Sequence, residues 1–114
     1  VEQDRAALDA LRANLARLAI RGDVRATSVM ALGQAPGPLD LVLMDPPYGT
    51  GAGSVALDKL ARLGWIGPAT WVSVETGRTE DVDASGFVVD AERVYGKAKL
   101  TLLRRAEPAT DPQD

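Results

Sequence analysis

Hydrophobic residues follow a helical period in two parts of the chain. The first part has leucines at spacings of three and four, which predicts an amphipathic helix that ends at Gly22. The second part has the same period, with Ser54 as its predicted N-cap and Gly64 as its end. The stripe of the first helix is Leu8, Leu11, Leu15 and Leu18, and that of the second is Leu57, Leu60, Ala61 and Leu63.

Short runs of apolar and β-branched residues predict strands around these helices. The connection between the last two strands, residues 96–98, is too short for a helical crossover, so these strands are predicted to be antiparallel. Strands that alternate with helices and end in a hairpin predict an α/β fold with a doubly wound, mostly parallel sheet and an antiparallel carboxy-terminal hairpin. The predicted strands are 24–28, which is weakly indicated, 41–44, 70–76, 87–95 and 99–104.

The strand that ends at Met44 is followed by the segment Asp45-Pro46-Pro47-Tyr48-Gly49. The two prolines fix φ and remove backbone donors, so the strand ends there and places Asp45 at its carboxyl end. Ligands bind at the carboxyl ends of strands in open α/β sheets. The segment therefore predicts a ligand site, although proline and glycine that only terminate a strand give a similar pattern.

These residue types suit methyl transfer to an exocyclic amine of a nucleobase. Asp45 and the Pro46 carbonyl accept hydrogen bonds from an NH₂ group, and the Tyr48 ring offers a face for stacking. Such a nitrogen is nearly non-basic, so positioning matters more than deprotonation. We assign catalytic roles to Asp45, Pro46 and Tyr48 and substrate-binding roles to Pro47, Tyr48 and Gly49, for a base that is flipped or single-stranded.

The chain resembles the carboxy-terminal part of RsmD-type 16S ribosomal RNA guanine-N2 methyltransferases over nearly its whole length before residue 106. The resemblance implies a Rossmann-like class I methyltransferase fold, S-adenosylmethionine as cofactor, and small-subunit ribosomal RNA or the immature 30S particle as substrate. DNA, a protein amide, or a non-catalytic role in a split protein remain alternatives. The matching segments are 1–6, Asn14-Leu15, the Asp-Pro-Pro-Tyr turn, Gly64-Trp65-Ile66, 71–75, Tyr95-Gly96 and 100–103.

The resemblance also implies cofactor contacts. Glu2, at the end of the second strand of that fold, would accept hydrogen bonds from the ribose hydroxyls. Val29 and Met30 would contact the adenine ring, although Met30 suits ordinary packing equally well. Asp45 would lie beside the transferred methyl group.

The chain has no glycine-rich cofactor loop before Glu2, and 49–53 follows the catalytic turn, where a flexible substrate-side loop is the better interpretation. We therefore expect the first strand of the fold to be missing and the sheet to have a gap beside the strand that leads to Asp45. A preceding segment or a second chain would complete it.

Composition narrows the chemistry. The 114 residues, 46% hydrophobic and 25% charged, predict one domain over 1–105 and a disordered tail at 106–114. The absence of Cys and His excludes disulfides, Cys/His zinc sites and histidine-dependent nucleophiles, so no metal site is expected.

No apolar stretch reaches membrane-spanning length, and a cytoplasmic location is expected. The net charge of −3 weakly disfavours RNA binding, although basic residues gather near the first helix and the last two strands.

Overall fold

The computed structural model describes residues 1–83 and 85–106, which form two compact units. The first unit comprises residues 1–33, and the second begins at Gln34. Nearly all of the predicted tail, from residue 107 onward, lies outside the described residues. No helix in the described part of the chain is long and apolar enough to cross a membrane.

The first unit contains helix α1, Arg5–Leu18. Its N-cap is Asp4, whose carboxylate accepts a hydrogen bond from the Ala7 N–H at 2.9 Å. The helix ends before the predicted Gly22, because Ala19 adopts a left-handed conformation with φ of 54°. Of the predicted stripe, Leu8 is buried, whereas Leu18 is exposed.

The predicted strand 24–28 is reduced to one parallel bridge between Glu2 and Ala26. The Glu2 N–H donates to the Arg25 carbonyl at 3.0 Å. Pairing stops there because Ser28 caps a 3₁₀ turn at Val29–Ala31, with its Oγ accepting from the Met30 N–H at 3.2 Å. The weak strand pattern is overridden by this local side-chain cap.

The second unit contains a four-stranded sheet of order β1-β2-β4-β3. β1 and β2 are parallel, whereas β2 with β4 and β3 with β4 are antiparallel. The predicted α/β class and the antiparallel carboxy-terminal hairpin are confirmed. The strands are β1 (Leu39–Met44), β2 (Ile66–Gly77), β3 (Phe87–Tyr95) and β4 (Ala98–Arg105).

An irregularity at the start of β2 sets its register against β1. Leu39 pairs with Ile66 but Leu41 pairs with Trp71, so β2 contributes three extra residues over this interval. Thr70 holds the irregularity together, because its hydroxyl accepts from the Gly67 N–H at 2.9 Å and donates to the Leu39 carbonyl. Pairing then continues regularly through Met44 and Val74.

Helix α2, Ala52–Arg62, connects β1 to β2 and packs on β2. It begins two residues before the predicted N-cap Ser54, because Gly51 takes the cap position with φ of 71°. Ser54 instead accepts a hydrogen bond from the Asp83 N–H at 2.8 Å. The buried hydrophobic residues of this unit are Val42, Ala56, Leu57, Leu60, Ile66, Val72, Val74 and Leu103.

The other face of the sheet is apolar but exposed. On β1, Leu41 is 56% exposed and Leu43 is 74% exposed. On β2, Trp71 is also exposed, with the Arg104 guanidinium 6.0 Å from its ring centroid. We call this surface the open face. Within the described residues, β1 pairs only with β2, so its second edge has no strand partner there.

Candidate active site

An open pocket of about 330 Å³ lies where β1 and β2 end. These are the carboxyl ends of two parallel strands, where ligands bind in α/β sheets. The wall is apolar with two carboxyl groups and one hydroxyl group. Its lining residues are Leu43, Met44, Asp45, Ser73, Glu75 and Leu100.

The register places the two acids side by side. Met44 pairs with Val74, so the next residues, Asp45 and Glu75, project to the same face of neighbouring strands. Both carboxyl groups line the pocket, and we call them the carboxyl pair. The hydrogen-bonding influence of Glu75, partial burial and the like charge of Glu75 together raise the pKa of Asp45 above its ordinary value.

Tyr48 joins the carboxyl pair through its phenol. The Tyr48 hydroxyl donates to Glu75 Oε2 at 3.0 Å, and this hydrogen bond is the main reason that the pKa of Tyr48 is raised. The ring stays 47% exposed. Gly77 lies next to the Cβ end of the Tyr48 side chain, since a Cβ at Gly77 would be 3.7 Å from Tyr48 Cβ. One end of the ring is therefore fixed while much of its surface is available for stacking.

Pro46 is held by close contact with α2. A Cβ at Gly53 would lie only 3.1 Å from Pro46 Cγ and 3.2 Å from Val74 Cγ1. Only glycine lets the helix approach the turn this closely without a shift in its neighbours. The carbonyl and ring of Pro46 are thus positioned by the packing of the helix and not by the turn alone.

The loop after Tyr48 is anchored by Glu80. Its carboxylate accepts from the Gly49 N–H at 2.7 Å and from the Gly51 and Gly77 N–H groups at 3.4 Å each. These backbone donors, that of Gly49 first, lower the pKa of Glu80. The loop predicted to be flexible is further closed by Thr50, whose hydroxyl donates to the Pro47 carbonyl at 2.8 Å.

Glu80 is fixed in turn by the segment that follows β2. Its N–H donates to the Gly77 carbonyl at 3.1 Å, and its carbonyl accepts from the Thr76 hydroxyl at 3.2 Å. Next to it, Asp81 accepts from the ammonium group of Lys99, a buried residue, at 2.7 Å. This ion pair lowers the pKa of Asp81. The turn from Asp45 to Gly49 is therefore connected to β4 through one short segment.

The predicted substrate-side residues come together with Asp45, whereas the other three predicted cofactor residues lie elsewhere in the chain. The segment from Asp45 to Gly49 forms one turn at the pocket. Glu2, Val29 and Met30 belong to the first unit, where Met30 is exposed and the other two are partly exposed. Their cofactor roles stay predictions. Among residues 1–83 and 85–106 no cluster of three or more potential metal ligands is present.

Sequence reasoning gave no role to Glu75 or Glu80. An acid that directly follows the apolar run of β2 was a usable signal for Glu75, because such a residue needs a polar partner in the fold. Glu80 carried no local signal, since the Gly49 and Gly51 N–H groups that donate to its carboxylate lie about thirty residues away in the sequence.

The fold and the pocket define an α/β protein with a candidate ligand site at the carboxyl ends of two parallel strands. The chain belongs to the family described as conserved hypothetical protein 95, which matches residues 1–104.

A curated relative, an uncharacterized methylase of Rickettsia prowazekii (strain Madrid E), is 30% identical over 66 residues. That match covers 57% of this chain and 28% of the relative's length. The chain therefore spans only a part of that protein.

Solved structures with the same fold cover most of the chain. An Escherichia coli protein provisionally named a methyltransferase has a TM-score of 0.70 at 28% identity, over 91% of this chain and 59% of that one. A Haemophilus influenzae protein provisionally named a methylase has a TM-score of 0.77 at 22% identity, over 93% and 70%. A conserved hypothetical protein of Streptococcus pyogenes has a TM-score of 0.78 at 22% identity, over 92% and 69%. The last two likenesses concern the fold alone.

Proposed function

We propose that this chain is part of an S-adenosylmethionine-dependent methyltransferase that modifies the exocyclic N2 of a guanine in 16S ribosomal RNA. The observation that carries the proposal is the turn at the end of β1, where Asp45 lines the pocket, Pro46 follows it directly, and the Tyr48 hydroxyl donates to Glu75, which also lines the pocket. The methylase and methyltransferase names of its relatives and neighbours support the reaction class. The longer order of segments that resembles RsmD-type enzymes supports the RNA substrate, because the Asp-Pro-Pro-Tyr turn alone suits DNA and protein amides equally well.

The residues act by binding and orientation. The Asp45 carboxylate and the Pro46 carbonyl accept hydrogen bonds from the two N2 protons, which aims the nitrogen lone pair, while Tyr48 stacks on the base. When bound, S-adenosylmethionine supplies an electrophilic methyl group whose former bonding electrons stay on sulfur. The nitrogen forms the new N–C bond, and the proton that it loses passes to water.

We assign the cofactor contacts to the first unit and to Asp45. Glu2 is partly exposed at its bridge with Ala26, where a carboxylate suits two ribose hydroxyls. Val29 and the exposed Met30 offer apolar surface for an adenine ring. The acceptor oxygens of Glu2 and the apolar side chains of Val29 and Met30 fit the ribose and adenine parts of the cofactor, respectively.

We also propose that a segment outside this chain, either amino-terminal to it or on a second chain, pairs with β1 and covers the open face. The support is the second edge of β1, which has no strand partner in the described part of the chain, and the exposed leucines beside it. A ribosomal RNA substrate places the enzyme in the cytoplasm.

The test uses Asp45→Ala in the full-length enzyme, with methyl-labelled S-adenosylmethionine and immature small subunits as substrate. We expect turnover to be abolished while cofactor affinity stays within about tenfold of the parent. Turnover that survives this substitution would remove Asp45 from the mechanism. Transfer to naked DNA or to a release-factor-like protein, without transfer to small subunits, would move the substrate assignment to those classes.

A binding measurement on the 114-residue chain tests the remaining alternative, a non-catalytic component. Titration calorimetry with S-adenosylmethionine that shows no binding alone, with recovery on adding an amino-terminal half, would identify the chain as one component of a complete site. Micromolar binding by the chain alone would contradict the need for a second segment.

A further inference from the structure

We propose that Glu75 is the residue that selects guanine, by accepting the ring N1–H while Asp45 accepts the neighbouring exocyclic amine. The inference rests on the proposed methylation of guanine N2 and assigns the discrimination between bases to one side chain. It is carried by the carboxyl pair, whose two members come from adjacent strands and face one pocket.

The acceptors of the pair match the edge of guanine. Tyr48 occupies Glu75 Oε2, which leaves Oε1 of the same carboxylate for a second donor. Guanine presents two adjacent donor groups on its Watson–Crick edge, N1–H and the N2 amine. Adenine and cytosine place a ring acceptor beside their amine. A flipped base is read through this edge, so two adjacent carboxyl groups favour guanine.

The electrostatics of the pocket agree with a ligand that brings donors. The two carboxyl groups line one pocket, and the pKa of Asp45 is raised by hydrogen bonding with Glu75, by burial and by the like charge of Glu75. No ion pair between described residues includes either acid. On β4 the residue opposite Glu75 is the apolar Leu100, and Tyr48 is the remaining titratable neighbour. The N1–H and N2 donors of guanine would each give a hydrogen bond to one of the two carboxyl groups.

The conservative variant Glu75→Gln separates selection from folding. Glutamine keeps the shape of the side chain and can still accept from the Tyr48 hydroxyl, but its amide can donate a hydrogen bond to an unprotonated ring nitrogen. The informative substrate is 2-aminopurine, which has the same exocyclic amine as guanine but an acceptor at N1. Wild-type protein should reject this base, and the variant should tolerate it.

The experiment has two stages on the full-length enzyme. The first identifies the guanosine that wild-type protein converts to N2-methylguanosine in immature small subunits. The second uses subunits reconstituted with 16S RNA that carries guanosine or 2-aminopurine at that position. We expect wild-type protein to favour guanosine by about 100-fold or more in kcat/KM and Glu75→Gln to reduce this ratio to about tenfold or less.

Glu92→Gln is the matched control, since Glu92 is exposed on β3 and should leave the ratio unchanged. If wild-type protein makes no N2-methylguanosine, the proposed function fails and the role of Glu75 fails with it. If it does, and Glu75→Gln loses activity with both substrates equally or keeps the wild-type ratio, only the role of Glu75 is overturned.

A titration of the 114-residue chain checks the geometry without activity. The phenol of Tyr48 should titrate at lower pH in Glu75→Gln than in the parent, because the negative acceptor is lost. Tyrosinate absorbance measures this, and Tyr48→Phe separates its signal from that of Tyr95, the other tyrosine. An unchanged Tyr48 titration would contradict the contact on which the inference depends.

Discussion

Substitution of Gly53 by alanine tests how closely α2 packs against the turn that carries Asp45 and Pro46. The added Cβ would lie 3.1 Å from Pro46 Cγ and 3.2 Å from Val74 Cγ1, whereas carbon atoms prefer about 3.5–4.0 Å. Neither neighbour yields easily, because the proline ring is rigid and Val74 is fully buried in β2. The helix or the turn must therefore shift.

Two opposing effects determine the free energy of unfolding. Alanine in place of glycine inside a helix stabilises by roughly 0.5–1 kcal/mol, whereas overpacking a tight core costs about 1–3 kcal/mol. The steric cost is larger, so we expect a net destabilisation of about 1 kcal/mol. For a domain of this size that lowers Tm by roughly 4 °C.

Thermal unfolding followed by circular dichroism measures the change, with Gly37→Ala as the control. Gly37 has no atom within 4 Å of its would-be Cβ and does not need a left-handed conformation. The same chemical change there should be neutral or stabilise by up to about 1 kcal/mol. A Gly53→Ala protein that melts at or above the wild-type temperature would refute the close approach of α2 to Pro46.

Two further substitutions test single polar groups. Thr101 is buried, and its hydroxyl has no hydrogen-bond partner among the described residues. Thr101→Val should therefore stabilise the chain by about 1 kcal/mol, as measured by urea unfolding. A loss of stability would instead reveal a partner for the hydroxyl. Glu80→Gln should lower the urea midpoint at neutral pH. Because the pKa of Glu80 is lowered in the fold, this stabilisation is complete above the ordinary glutamate pKa and is lost as the pH falls through the folded value. The two proteins should therefore converge as the pH falls below the folded pKa of Glu80, which itself lies below the ordinary glutamate value, and a difference that is independent of pH would contradict the carboxylate anchor.

The sequence predicted the elements of the fold better than their ends. The run that leads to Asp45 and the hairpin after Gly86 are confirmed, because strand periodicity and turn residues are local signals. The predicted end of α1 was wrong, since the left-handed conformation of Ala19 has no sequence signature. The predicted start of α2 was wrong, because Ser54 is a typical N-cap residue but here accepts a hydrogen bond from the Asp83 N–H.

In the site, too, the features encoded by neighbouring residues were predicted and those that depend on distant contacts were not. The turn from Asp45 to Tyr48 was predictable, because it is one short segment whose residue types indicate a specific chemistry. Its partner Glu75 depends on the pairing register of two strands, and Glu80 reaches Gly49 across thirty-one positions. Contacts of this kind arise from tertiary structure, so no local pattern of one sequence encodes them.

The three extra residues at the start of β2 give the site a tolerance to changes in chain length. We expect an insertion or deletion at 68–69 to alter only the irregular stretch before Thr70, whose hydroxyl donates to the Leu39 carbonyl, and to leave the carboxyl pair intact. A single deletion within 71–75 would instead reverse the faces of the residues that follow, turning Glu75 towards the helix and burying its charge. Evolution can therefore lengthen or shorten this protein on one side of Thr70 but has to preserve residue spacing on the other.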